Sequence, residues 1–479
     1  MMNTTNEEIS KILSLTTEYL QQYFGDLDQS PILPRENIKK HCELLSPLDI
    51  GGMPIEKLLN EFFQTVLPSS VNTASGGYLG YIPGGGLFLS ALGDFLCKCT
   101  NRYAGVNFLA SQLVEMEMIV IKWLASIVGY SPRHCGGVLT SGGSIANLTA
   151  LVAARDNILR EECYHLGTVY GSEQTHHSNW KAAHACGVLS TNIRKVGVNQ
   201  NCELDSNHLE ELIKNDLSIG KRPFLIIGNA GTTDCGAIDN FEELYQLAQK
   251  YSLWLHLDAA YGGTFALTRR GKKILQGMEL ADSITLDPHK GLCLPYGTGA
   301  LVVKNGDTLK RSFTANASYL PNHDAANEEE FWDFSQRSLE LSREARGLRV
   351  LLPLKHYGVD KFITMLDDKL DLTQNIYQQL CTLSGPPHNF QVMVPPKLSL
   401  FAFRFNFNND TPNEAVNEYN QRLLEKINQQ QRVFLSGTKI VGKYYLRLAA
   451  LSHRTHEKNL QHFWEDLQFA LKRDSSSDF

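Results

Sequence analysis

The sequence predicts an α/β protein in which a mainly parallel sheet is wrapped by helices and followed by a smaller α+β unit. Two observations carry this. Between about residues 90 and 305, short apolar runs rich in β-branched residues alternate with segments whose apolar residues recur at helical spacing. Beyond residue 350 the order becomes SLFAFRFNF, EAVNEYNQRLLEKIN, KYYLRLAAL, where strand and helix patterns follow one another without that long alternation. A chain of 479 residues with 43% hydrophobic composition is long enough for two or three such units.

Residues 1–88 are expected to form an N-terminal helical segment and a substrate loop. Pro31, Pro34 and Pro47 interrupt the segment, and MPIEKLLNEFFQTVL keeps helical spacing behind a proline suited to a first turn. The stretch GGYLGYIPGGGLF holds too many glycines for a regular element and reads as a loop at a site. Residues 89–350 form the large unit. They contain a helix around VEMEMIVIKWLASIVG, strand GGVLT, helix ANLTALVAARDNI, strand PFLIIG, helix NFEELYQLAQKY, strands LWLHLDAA and DSITLD, and the start of the helical SLELSREARGLRVLLPLKHYG. Residues 351–479 form the small C-terminal unit, with Phe401, Phe403, Phe405 and Phe407 on one face of a strand. The polar tail SSSDF reads as disordered.

A net charge of -6 argues against a nucleic-acid partner, which calls for clustered Lys and Arg, and favours small-molecule ligands. The first residues lack a basic stretch followed by an apolar one, and no apolar run approaches the ~18 residues of a membrane span, so a soluble cytoplasmic protein is expected. The ten cysteines include Cys97 and Cys99 but no second pair at zinc spacing, and they read as reduced thiols. His176, His177 and His184 match no metal pattern, so no metal is expected.

Thr140–Asn147, TSGGSIAN, lies between strand GGVLT and a helix, so the amides of Gly142, Gly143 and Ser144 can face an anion such as a phosphate. A plain glycine turn capped by Ser144 is a second reading, and a hydrolase nucleophile at Ser144 a third. Asp258 ends strand WLHL, at the sheet edge where open α/β sheets bind ligands, and small residues around it leave room for a flat ring. A cap or turn role is its ordinary alternative. Lys290 follows strand SITL and should emerge at that same edge, where its amine can serve as a nucleophile. A surface loop lysine is the plain alternative. His176 stands before a helix and can lie on a ring or exchange protons.

Pyridoxal phosphate accounts for these features together, since it needs an anion cradle, a carboxylate for its ring nitrogen, a stacking group and a lysine. The ordered motifs TSGGSIAN, SEQTHHS, GNAGTTDCGAIDN, HLDAAYGG and LDPHKG resemble those of the group II pyridoxal-phosphate-dependent amino-acid decarboxylases, such as the aromatic-L-amino-acid decarboxylases. The resemblance implies fold type I, with a mainly parallel seven-stranded sheet, and a homodimer in which the N-terminal segments embrace the partner. It makes Lys290 the Schiff-base lysine, Asp258 the partner of the ring nitrogen and His176 the stacking group. It places Gly142, Gly143, Ser144, Asp287 and His289 at the phosphate, Thr232 and Ala260 along the ring, and Tyr81 and Pro83 at the substrate.

The implied activity is α-decarboxylation of an L-amino acid to an amine and carbon dioxide. Aldehyde synthesis, transamination or another carbon–carbon lysis is the alternative with the same cofactor. A serine hydrolase and a non-catalytic cofactor-binding protein are remoter readings. Three positions depart from the family pattern. Gly291 stands where tryptophan usually follows the lysine, opening space beside it. Gly84, Gly85 and Gly86 replace bulkier residues, which leaves the aromatic preference open. The segment NHDAANEEEFWDFSQRS holds Phe331, Trp332 and Phe334 but lacks the family's proton-donating tyrosine, leaving His176 or His177 as alternative donors.

Overall fold

The computed structural model describes residues 3–34, 42–48, 51–314, 332–385, 389–407 and 411–474. The expectations for Phe331 and for the SSSDF tail lie outside these residues. The larger sheet has seven strands: β1 (Gly136–Thr140), β2 (Gly167–Ser172), β3 (Ile193–Val196), β4 (Arg222–Asn229), β5 (Trp254–Asp258), β6 (Ser283–Leu286) and β7 (Gly299–Val303). Their spatial order is β1-β7-β6-β5-β4-β2-β3. Strands β3, β2, β4, β5 and β6 pair in parallel, whereas β7 runs antiparallel to both β6 and β1. The carboxyl ends of all strands but β7 therefore meet along one edge.

Every residue of β1, β2, β5, β6 and β7 is buried, as expected where helices cover both faces of a sheet. That uniform burial is why the reversed direction of β7 leaves no mark in its residues. Strand β3 has the opposite problem. It is an edge strand whose Ile193, Arg194 and Lys195 are partly or fully exposed, and the mixed sequence IRKV carries no clear alternation.

Two expected elements end differently. Strand β5 stops at Asp258, so Ala259 and Ala260 belong to the turn beyond it. The helix expected over SLELSREARGLRVLLPLKHYG starts only at Gly347. The residues before it instead send Arg343 inward to a buried ion pair with Glu117, whose carboxylate also receives the amide of Leu139 at 3.2 Å. Arg343 and Arg346 both donate to the Leu139 carbonyl, so the outer backbone groups of this edge strand are satisfied by side chains.

The smaller sheet is antiparallel, with β8 (Phe390–Val392), β9 (Leu400–Phe405), β10 (Ser436–Ile440) and β11 (Lys443–Ala449) in the order β10-β11-β9-β8. Phe401, Phe403 and Phe405 share a core with Leu423 and Phe463 from two covering helices. Phe407 lies past the end of β9 and packs its ring edge-on against Tyr419 at 4.6 Å.

Leu79 belongs to the same core and donates its amide to Phe434 at 2.8 Å, which pins the glycine-rich loop across the smaller sheet. Gly77 permits this because a Cβ there would stand 2.2 Å from the Arg432 carbonyl. The N-terminal helix Asn6–Asp26 closes its first turn with a Thr5–Glu8 capping box yet buries none of its residues. Among the described residues, no helix is long and apolar enough to cross a membrane.

Candidate active site

A cavity of about 490 Å³ opens at the carboxyl edge of the larger sheet, a size suited to a cofactor together with a small substrate. Lys290 reaches it from the short helix Pro288–Gly291, which follows β6 and starts at Asp287. Its Nζ lies 3.0 Å from Asp287 Oδ2. Asp287 is buried, and its other oxygen, Oδ1, has no hydrogen-bond partner. His289 points its Nδ1 at the Thr298 carbonyl, 2.8 Å away, so that nitrogen carries a proton, and its Nε2 stands 3.7 Å from Asp287 Oδ2.

Asp258 sits one strand over, at the end of β5, in register with Thr285 of β6 and Asn229 of β4. Its Oδ2 accepts from the side-chain amides of Asn147 at 3.0 Å and Asn179 at 2.7 Å, and its Oδ1 accepts from the Ala260 amide at 3.2 Å. Burial by itself would raise its pKa. The Lys290 charge and the Asn179 hydrogen bond outweigh that and hold the carboxyl below the usual range. A buried carboxylate thus stays ionised and faces the cavity.

The far wall comes from Ser141 to Ser144 at the start of the 16-residue helix Gly143–Ile158. Gly142 takes φ +149°, a conformation that favours glycine, and a Cβ on Gly143 would press to 2.8 Å from Asp287 Oδ2. The amides of Gly143 and Ser144 have no acceptor within the helix and can bind an anion, whereas that of Ile145 is turned to the Gly142 carbonyl at 3.1 Å. His176 caps the next helix, His177–Ala185, and its Nδ1 receives the Ser178 amide at 3.3 Å. Nδ1 is therefore the acceptor and the ring proton sits on Nε2. Burial, with the Lys290 charge adding to it against Asp258, pushes the His176 pKa down.

The structure gathers Gly142, Gly143, Ser144, His176, Thr232, Asp258, Ala260, Asp287, His289, Lys290 and Tyr81 around this one cavity. Pro83 is not on its wall; it is buried behind the lining formed by Tyr81 and Ile82. The expectation that Gly291 opens space is corrected. A Cβ on Gly291 would stand 1.7 Å from Thr264 Oγ1, so the glycine is there because another chain segment lies against it. Gly84 and Gly85 likewise meet the His289 carbonyl and His453, at 2.5 and 2.0 Å from where a Cβ would be. Trp332 and Phe334 do not line the cavity. Trp332 packs against Gly136 and Gly306, and Phe334 is buried under the Arg343 guanidinium.

Sequence reasoning gave no role to Asn147, Ser178, Asn179, Tyr78 or Tyr296, all of which touch the cavity or its carboxylate. A signal existed for Asn147, which lies four residues after Gly143 and so one helical turn above it. None existed for Tyr296, whose ring reaches His289 at 5.7 Å from a loop beyond the lysine.

These parts fit pyridoxal phosphate: first-turn amides for a phosphate, an ionised buried carboxylate for a ring nitrogen, an imidazole on the wall, a lysine amine, and an orphaned Asp287 oxygen at the floor. Fold and site together define a pyridoxal-phosphate enzyme of fold type I. Residues 45–406 match the pyridoxal-dependent decarboxylase conserved domain, and the chain belongs to that family. It is a pyridoxal-phosphate-dependent carboxy-lyase, which removes the hydrolase reading of Ser144.

The aromatic-L-amino-acid decarboxylase of Bacillus atrophaeus is 31% identical over 413 residues, covering 86% of this chain and 85% of that protein. The 4-hydroxyphenylacetaldehyde synthase of Rhodiola rosea is 26% identical over 474 residues, covering 96% of this chain and 94% of that protein. The crystal structure of Oryza sativa TDC with PLP and tryptamine has the same fold, with a TM-score of 0.92 at 24% identity and 99% of both chains covered.

Proposed function

We propose that this enzyme decarboxylates an aromatic L-amino acid to its amine, with Lys290, Asp258 and His176 as its catalytic groups. The observation that carries the substrate class is the lining around the lysine. Tyr78, Tyr81, Ile82 and Tyr296 supply apolar and aromatic surface there, and among the described lining residues Lys290 is the sole Lys or Arg. An acidic substrate side chain would find no counter-ion, whereas an aromatic ring would find matching walls.

Bound pyridoxal phosphate supplies the electron sink that allows carbon dioxide to leave the α-carbon. Lys290 is the lining amine that would hold the cofactor's carbonyl carbon and that a substrate amine would replace. Asp258 keeps a proton on the ring nitrogen, because an ionised carboxylate in contact raises such a nitrogen's pKa by ~1–3 units. The amides of Gly143 and Ser144 would hold the phosphate, with Asp287 and His289 beside it, while Thr232 and Ala260 would border the ring. His176 would lie against the ring, and in its protonated form it would be the group that gives an Nε2 proton to the α-carbon. One proton is consumed as one carbon dioxide leaves, so amino acid and proton become amine and carbon dioxide.

The surface supports a homodimer built as an N-terminal segment (1–88), a large unit (89–350) and a small unit (351–479). No residue of the helix Asn6–Asp26 is fully buried, although Tyr19 stacks on Phe63, and Phe108 and Leu109 are 70% and 56% exposed, which suits surfaces that a second copy covers. Ten free cysteines suit a reducing, cytoplasmic compartment.

A second reading, aldehyde synthesis, draws on the absence of an acid from Trp332 and Phe334 and on the similarity to the Rhodiola rosea protein. There the amino acid, oxygen and water become aldehyde, carbon dioxide, ammonia and hydrogen peroxide. Incubating the holoenzyme with aromatic and acidic amino acids decides between them. Amine and carbon dioxide in equal amounts from an aromatic substrate are expected; ammonia with peroxide would establish the second reading, and turnover of glutamate alone would refute the substrate class. Lys290→Ala should remove the yellow chromophore that borohydride bleaches.

A further inference from the structure

Behind the cavity a line of buried polar groups runs from Trp254 to Asp258, and the carboxylate end sets the direction of the hydrogen bonds along it. Trp254 Nε1 can only donate, and it meets Ser283 Oγ at 2.8 Å. The Ser283 hydroxyl still has its own proton to give, and His256 Nδ1 lies 2.8 Å away. The ring's Nε2 faces Asn147 Oδ1 at 3.2 Å, with Thr285 Oγ1 at a longer 3.5 Å.

From the other end, the Asp258 carboxylate can only accept. The Asn147 side chain must accordingly turn its NH2 group towards it and its oxygen towards His256. The same NH2 group donates to Ser178 Oγ at 3.1 Å, and the Ser178 hydroxyl then donates to His176 Nδ1 at 2.8 Å. The Asn147 oxygen thus faces Nε2 and requires a proton there, so the neutral ring accepts the Ser283 proton at Nδ1 and every group along the line is satisfied. His256 is fully buried, and burial, opposed by Asp258 and Ser283, pushes its pKa down to about 4, so the ring stays neutral at physiological pH.

We infer that His256 is a positioning residue: its Nε2 proton locks the Asn147 amide so that one NH2 group serves both Asp258 and, through Ser178, His176. Without that proton Asn147 Oδ1 loses its donor from His256, and the amide is held from the Asp258 side alone. Its grip on the carboxylate and on the Ser178 hydroxyl then loosens. A residue that touches neither cofactor nor substrate thereby sets the state of two groups that do. The inference rests on the assignment of Asp258 to the ring nitrogen.

The test compares His256→Met, which removes the donor, with His256→Gln, which can present an amide N–H to Asn147. Apo-protein is titrated with pyridoxal phosphate, and the visible band of the holoenzyme is followed against pH. His256→Met should bind the cofactor about ten-fold more weakly and shift the spectral midpoint by about one pH unit, while His256→Gln should stay within about three-fold of wild type. Ser283→Ala, which removes the donor to Nδ1, should move both readouts in the same direction by less, and it keeps the test open should His256→Met fail to fold. Wild-type behaviour in His256→Met, or in Ser283→Ala where His256→Met yields no folded protein, would overturn the inference, as would His256→Gln being as impaired as His256→Met. Asp258→Asn separates the two claims: if it also leaves the band and its pH dependence unchanged, the reading of Asp258 is what fails.

Discussion

Gly291 lies against Thr264 so closely that a Cβ on the glycine would stand 1.7 Å from the threonine hydroxyl. Thr264 is itself buried, and that hydroxyl has no hydrogen-bond partner. The residue after the lysine is thus held by packing between the Pro288–Gly291 turn and the segment that follows β5. Gly291→Ala should destabilise the apo-protein by about 1–3 kcal/mol through overpacking, and adding Thr264→Ala should recover part of the loss. Urea unfolding measures both. A Gly291→Ala protein as stable as wild type would show that the turn can move aside, and the glycine would again be free to bear on substrate size.

Glu117 and Arg343 form a buried ion pair that also satisfies both backbone groups of Leu139 on edge strand β1. Removing one partner leaves an unpaired charge in the interior and frees a strand edge. Arg343→Met is expected to cost about 3–5 kcal/mol. The double substitution Glu117→Leu with Arg343→Met should cost clearly less than the single change, because no orphaned charge remains. Chemical denaturation of the four proteins in a double-mutant cycle reads this out, and equal losses in single and double variants would contradict it.

His453 is packed under the glycine-rich loop, with no partner for Nδ1. Burial first, then the positive Arg454, Lys369 and His456, push its pKa down to about 3 from an ordinary 6.5. A depressed folded-state pKa means that the unfolded chain takes up the proton first as pH falls. The stability contributed by neutral His453 is complete above about pH 6.5 and declines below it by about 1.4 kcal/mol per pH unit until the folded pKa is reached. His453→Gln carries no such proton. Between pH 6.5 and 4.5 the wild type should therefore lose about 2 kcal/mol more than this variant; parallel stability curves would refute the assignment.

Much of the fold was legible because it is local. GGVLT, PFLIIG and SITL announce buried strands through unbroken apolar runs, and NFEELYQLAQKY announces a helix through its spacing. Strand-then-turn order also places Asp258 and Lys290 at one sheet edge. Strand β3 escaped because an exposed edge strand has no apolar face to show. Strand β7 was not expected either, and a strand buried on both faces would read the same in either direction.

The amino-acid sequence by itself determined the α/β class, the edge at which the site lies, and the lysine, carboxylate and glycine turn that suit pyridoxal phosphate. Those follow from periodicity and side-chain chemistry within a few residues. Only the tertiary structure decided that His256 orients Asn147 across 109 residues of chain, that Arg343 meets Glu117 across 226, and that Gly291 is pressed by Thr264. Contacts of that range depend on how strands and helices are stacked, and the spacing of neighbouring residues carries no trace of them.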